Sequence, residues 1–225
     1  MVGNLLCDSY VTLETADRTS PARPPARGQP VVKAVDPQSV PLRVIAVLGL
    51  LISVLAVGAY RCYAFATTAG EARPAPAFCP ADSALSRSDA RPTVVMFAHP
   101  ECACTAASLT ELAAVLAPFA TPPHVLIVFT GAQDPRARSN WVQARQLPGV
   151  VRVRDDGREA RRFRARTSGY VVVYDERGRQ RFAGGLTEAR GHVGDNMGWR
   201  AAAAALRGRD GEAAHAVFGC SLEVE

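Results

Sequence analysis

Lysine is almost missing from this chain: Lys33 is the only one, so the formal net charge of +5 rests on arginine. Aromatic residues are scarce too, at 7%. No basic stripe interleaved with aromatics runs through the sequence, and such a stripe is what stacks bases beside a phosphate track. A nucleic-acid partner is therefore not expected. With alanine, glycine and proline abundant, the arginine excess reads as biased residue usage. No internal repeat is visible, and 225 residues suit one domain with appendages.

Charge is missing altogether from Val44–Tyr60, a run of 17 residues between Arg43 and Arg61. A spanning helix needs roughly 20 apolar residues, within a range of about 17–25, and Cys62–Ala66 extends the run. A cleaved signal is the nearest rival, with Ala64-Phe65-Ala66 as a small-residue cleavage site. Its apolar core would begin unusually far into the chain. Residues 42–66 are therefore expected as an uncleaved single-pass membrane anchor. Arg27, Lys33 and Arg43 lie before the run, against Arg61 and Arg73 after it. That bias places the N-terminus in the cytoplasm and the C-terminal part in the periplasm or another extracytoplasmic space.

Residues 1–41 contain six prolines and little periodicity, which predicts a disordered cytoplasmic tail. Residues 67–90, with Pro74, Pro76 and Pro80, read as an Ala/Pro-rich linker. Residues 91–225 carry the folded domain. Apolar runs predict strands at 93–98, 124–130, 150–153 and 170–175, with 180–183 pairing back as a hairpin. Helices are predicted over about 104–117, 135–147, 156–165 and 196–206. Alternating strands and helices imply a parallel portion with right-handed crossovers, and the hairpin adds antiparallel strands. The arginines between 152 and 166, interrupted by Asp155, Asp156 and Glu159, read as a solvated face with local ion pairs. Asp195 and Asn196 are candidate caps for the last helix.

The segment His99-Pro-Glu-Cys-Ala-Cys104 joins the first strand to its helix. A helix N-terminus offers unpaired N–H groups and a positive partial charge, which stabilise a thiolate. The thiolate is the reactive form in disulfide exchange and in metal binding. Cys102 and Cys104 are thus candidate catalytic residues. His99, three positions before Cys102, is a candidate to tune the thiol or shuttle a proton. Its alternative role is to cap the strand end through a backbone hydrogen bond. Glu101 is expected to face solvent. Cys79 and Cys220 bracket the domain and are candidates for a structural disulfide, worth about 4–5 kcal/mol in the chain-entropy account. The alternative role for Cys220 is to resolve an intermediate at Cys102. Cys7 and Cys62 look incidental.

This strand–turn–helix resembles the active-site segment of thioredoxin-like proteins. Phe97 stands five residues before Cys102, as an aromatic does in that family before its exposed nucleophile. The family's second cysteine position holds Thr105 here, and Cys104 gives a Cys-x-Cys pair instead. The family's cis-proline position falls at Gly169, next to Ser168, and these two residues are the candidate substrate-binding backbone. Further motifs resemble RedB-type membrane-anchored thioredoxin-like proteins over about residues 91–222. They are Thr167-Ser168-Gly169, Gly184-Gly185, Arg190-Gly191-His192-x-Gly194-Asp195-Asn196 and Phe218-Gly219-Cys220.

The resemblance implies a thioredoxin-like fold, a central mixed sheet flanked by helices, preceded by one transmembrane helix. It also implies a thiol–disulfide-type domain. The leading expectation is a thiol–disulfide oxidoreductase acting on protein thiols and disulfides, with Cys102 as nucleophile, Cys104 as resolving cysteine and no organic cofactor. One alternative is a copper chaperone resembling respiratory-oxidase assembly factors, with Cys102, Cys104 and His192 as ligands, since thiolates favour Cu(I). Another is a peroxiredoxin-type peroxidase built on the Pro100-x-Cys102 and Thr105 neighbourhood.

Overall fold

A computed structural model describes residues 41–131 and 134–222. The expected tail over 1–41 and Cys7 lie outside the described residues, apart from Pro41. The long apolar run forms α1 (Leu42–Thr67), 26 residues with none of its side chains buried. At 1.5 Å per residue it is about 39 Å long, and it is apolar enough to be a candidate membrane span.

In the domain, β1 (Thr93–Ala98), β2 (His124–Thr130), β3 (Val150–Asp155), β4 (Tyr170–Tyr174) and β5 (Gln180–Gly184) form one sheet. Its order is β3-β2-β1-β4-β5. β1 and β2 pair in parallel, as do β2 and β3. β4 runs antiparallel to β1, and β5 antiparallel to β4. Every residue of β1 and β4 is buried, because both strands are covered on two faces; this is why they read as unbroken apolar runs rather than alternating ones. Parallel strands followed by an antiparallel hairpin, with a cysteine-bearing helix directly after β1, make a thioredoxin-like fold.

The remaining helices are α2 (Ala103–Leu116), α3 (Ser139–Ala144), α4 (Arg158–Arg162) and α5 (Met197–Leu206), with a 3₁₀ turn at Pro135–Ala137. The helix expected over 135–147 is therefore broken. Arg138 is extended, with φ −89° and ψ 148°, between the 3₁₀ turn and α3. The helix expected over 156–165 is shortened, and Arg164 turns left-handed with φ 58°. In that arginine-rich stretch Arg162 pairs with Asp82 at 2.9 Å and Arg158 with Asp156 at 3.2 Å. Asn196, not Asp195, caps α5 by accepting from Trp199 N–H; Asp195 pairs with Arg200 instead.

Successive strand residues feed opposite faces of the sheet. On one face Val94, Met96, Ile127 and Val173 pack against Leu109, Leu112 and Val115 of α2 and the alanines of α5. On the other, Val95, Phe97, Val128 and Tyr174 meet Phe163, which follows the five-residue α4. So short a helix cannot cover that face. The gap is closed by Ala75 and Leu85 from one end and by Val217 and Leu222 from the other. The segment expected as a linker over 67–90 is thus laid against the domain. Tyr170 donates its hydroxyl to Arg73 O at 2.9 Å, and Phe78 bridges to Arg179.

Candidate active site

The turn after β1 is fastened from three sides. Cys102 N–H donates to His99 O at 3.4 Å. The buried Asn140 side chain donates to His99 O at 3.1 Å and to Cys102 O at 2.9 Å. Ser168 Oγ accepts from His99 N–H at 2.8 Å. Cys102 then occupies the N-cap of α2, with no side-chain capping bond. Its thiolate is instead positioned to accept from the N–H groups of Cys104 and Thr105 in the first turn of α2.

Thr105, at the position where a thioredoxin-like site has its second cysteine, is fully buried. Its hydroxyl lies 2.6 Å from Ser168 Oγ. Gly169 has φ 91°, which proline cannot adopt, and its N–H donates to Phe97 O at 2.8 Å. The described residues contain no cis peptide bond. The loop facing the cysteines is therefore held by hydroxyl contacts and a left-handed glycine.

Three of the sequence's cysteines come together. The sulfurs of Cys102, Cys104 and Cys220 lie within 4.8 Å of one another, and Cys220 Sγ approaches Cys102 Sγ to 2.6 Å. Cys220 arrives on the C-terminal segment: Ser168 N–H donates to Cys220 O at 2.8 Å. Arg190 holds the same segment through the Gly219 carbonyl, and its backbone N–H donates to Ala66 O at 2.9 Å.

The thiols are electrostatically unequal. Burial acts to raise the Cys102 pKa, but hydrogen bonds from the Cys220 thiol and backbone, and from the Thr105 and Cys104 N–H groups, win and hold it below its ordinary value. Burial and the negative charge at Cys102 push Cys104 up, against the opposing pull of Arg190. Burial, the hydrogen bond to Cys102 and the charge at Cys102 push Cys220 up to about 12. One sulfur is thus disposed to ionise beside two that keep their protons.

The expected pairing of Cys79 with Cys220 is not the one the fold makes. Cys79 is a free, half-buried thiol whose N–H donates to Gly178 O at 2.8 Å, while Cys220 faces Cys102. His192 is exposed before α5 and lies outside the group of sulfurs formed by Cys102, Cys104 and Cys220. His99 Nδ1 accepts from Glu101 N–H at 3.2 Å, so that nitrogen is engaged within the turn. Glu101 faces outward to Arg138 at 2.6 Å. Two further residues of the site, Asn140 and Arg190, carried no assigned role in the sequence reading. Arg190 belongs to the Arg190-Gly191-His192 motif, whereas Asn140 has no local sequence signal.

No family model matches the chain, and no curated protein matches it significantly. The structure is similar to a hypothetical protein from Sinorhizobium meliloti, at 19% identity and a TM-score of 0.47 over 61% of this chain and 81% of that one. It is similar to an uncharacterized conserved protein from Geobacillus kaustophilus, at 20% identity and 0.47 over 71% and 93%. A third similar structure is a secreted Mycobacterium tuberculosis disulfide oxidoreductase homologous to Escherichia coli DsbE. That likeness has 19% identity and a TM-score of 0.39 over 54% and 83%.

Proposed function

We propose that this chain is a membrane-anchored, extracytoplasmic thiol–disulfide oxidoreductase whose nucleophile is Cys102. The observation that carries this reading is the cluster of three thiols at the N-terminus of α2, with Cys102 at the N-cap; hydrogen bonds favour Cys102 as the thiolate. Thiolate attack on a disulfide is the elementary step of exchange. Cys102 Sγ bonds to one substrate sulfur while the substrate S–S bond breaks, and the departing thiolate takes up a proton. A second thiol of the site then attacks Cys102 Sγ. The remaining substrate sulfur leaves as a thiol, so the substrate gains two electrons and the protein keeps an intramolecular disulfide.

His99 serves as a positioning residue, through its carbonyl and through Nδ1. Ser168 and Gly169 supply the backbone facing the cysteines. The motif likeness to RedB-type proteins agrees with this reading, as do the apolar α1 and the flanking charges that favour a cytoplasmic N-terminus. The test is insulin reduction by dithiothreitol with the full chain in detergent. Cys102→Ala is expected to reduce the rate to background; a rate equal to wild type would sink the assignment.

One observation favours a second reading. Three sulfurs within 4.8 Å of one another form a soft donor set suited to Cu(I), with Cys220 rather than His192 as the third ligand. A Cu(I) competition titration separates the two readings: tight binding lost in Cys220→Ala and kept in His192→Ala supports the metal role.

A further inference from the structure

Residues 220–222 pair in extended form across the site. Ser168 N–H donates to Cys220 O at 2.8 Å and Leu222 N–H donates to Arg166 O at 2.9 Å. These bonds frame an antiparallel bridge between Thr167 and Ser221. Pairing of an extended segment with exposed backbone is how many proteins take up a peptide. Here the peptide belongs to the chain itself. Val217 and Leu222, one on each side of Cys220, are both buried and anchor it. Between them Gly219 passes so close to the loop that a Cβ would stand 1.9 Å from Ser168 O.

Cys104 is placed differently. It belongs to the first turn of α2, two residues after Cys102, which stands at the extended N-cap. Joining Cys102 to Cys104 would close a small ring over one residue, across the turn that carries the bond from Thr105 N–H to Cys102 O at 3.0 Å. Joining Cys102 to Cys220 leaves both backbones in place.

We propose that Cys220, not Cys104, is the resolving cysteine, delivered by a C-terminal segment that docks as a built-in, substrate-like strand. The proposal rests on Cys102 being the nucleophile. In the mixed disulfide Cys102 is no longer charged, so its hold on the Cys220 proton is released, and Arg190 favours the Cys220 thiolate. Cys220 Sγ then attacks Cys102 Sγ, the Cys102–substrate S–S bond breaks, and the substrate sulfur leaves with the proton Cys220 gave up. The resting oxidised protein holds a Cys102–Cys220 disulfide, and Cys104 remains a thiol.

The experiment uses the full-length protein in detergent. Reduced protein receives one equivalent of oxidised glutathione, is quenched in acid, alkylated and mapped by peptide mass spectrometry. The expected wild-type product is a Cys102–Cys220 cross-link with Cys104 and Cys79 alkylated. In Cys220→Ala a glutathione adduct on Cys102 should persist longer by on the order of tenfold or more, whereas Cys104→Ala should still form the Cys102–Cys220 bond. A Cys102–Cys104 or Cys79–Cys220 cross-link overturns the proposal, as does an adduct no longer-lived in Cys220→Ala. Those results leave the nucleophile assignment standing. A wild-type protein with no modification at Cys102 removes that assignment, and the proposal with it.

Discussion

The hydroxyls of Thr105 and Ser168 meet at 2.6 Å, joining the first turn of α2 to the loop before β4. These residues stand at the two places where the sequence departs from the common thioredoxin pattern, one at the second cysteine and one beside the proline position. The departures are a matched pair. A second thiol at 105 would displace this contact, and a proline at 169 would be excluded by φ 91°. The segment at 217–222 brings Cys220 beside Cys102 instead.

The pair makes the first prediction. Thr105→Val keeps the volume and removes the hydroxyl, leaving buried Ser168 Oγ short of a partner at a cost of about 1–3 kcal/mol. The denaturant midpoint should fall accordingly, with the slope unchanged. A midpoint equal to wild type would show that the contact contributes nothing net.

Cys102 should react as a thiolate at a pH below the range of an unperturbed cysteine, near ~8.5. Its alkylation rate against pH is expected to show this low inflection in the reduced protein. Cys220→Ala removes a thiol donor to Cys102, so the inflection should move up. An inflection that stays put would mean that Cys220 does not stabilise the thiolate.

Alkali should weaken the reduced fold. Burial and the Cys102 neighbour raise Cys220 to about 12, and burial raises Tyr170 to about 12. Unfolded cysteine and tyrosine titrate near ~8.5 and ~10. A raised folded-state value means stability that is full below the unfolded value and is lost as pH climbs towards the folded one. The urea midpoint should therefore decline from about pH 9 upward, and less steeply in Cys220→Ala. A flat profile to pH 11 would contradict the burial of both groups.

Gly219→Ala keeps every cysteine and disturbs the contact between the segment and the loop at 167–168. Its Cβ would meet Ser168 O at 1.9 Å, and overpacking of that kind costs about 1–3 kcal/mol, roughly tenfold or more in docked population. Amide exchange over residues 217–222 should accelerate, and the Cys102–Cys220 bond should form more slowly. Unchanged exchange would mean that the segment does not depend on the close approach.

Much of the domain was legible from local pattern. β1 and β4 announced themselves as apolar runs because burial on both faces leaves no place for polar alternation. Helix limits were less legible, since the extended Arg138 and the left-handed Arg164 are backbone choices made within a tertiary setting. The roles of residues 67–90 and 213–222 were hidden for another reason. Proline-rich or irregular segments carry no periodicity, and nothing local tells that a five-residue α4 leaves a sheet face for them to cover.

The sequence by itself determined that Cys102 lies where a buried strand meets a helix, because hydrophobic period and the position of the break are properties of neighbouring residues. It also determined the apolar α1, for the same reason. Only the tertiary structure decided which thiol faces Cys102. That depends on bringing residue 220 back across the loop at 166–169, a contact spanning 118 positions. Long-range backbone pairing and the lack of side chain on Gly219 select it, and neither leaves a periodic trace in the chain.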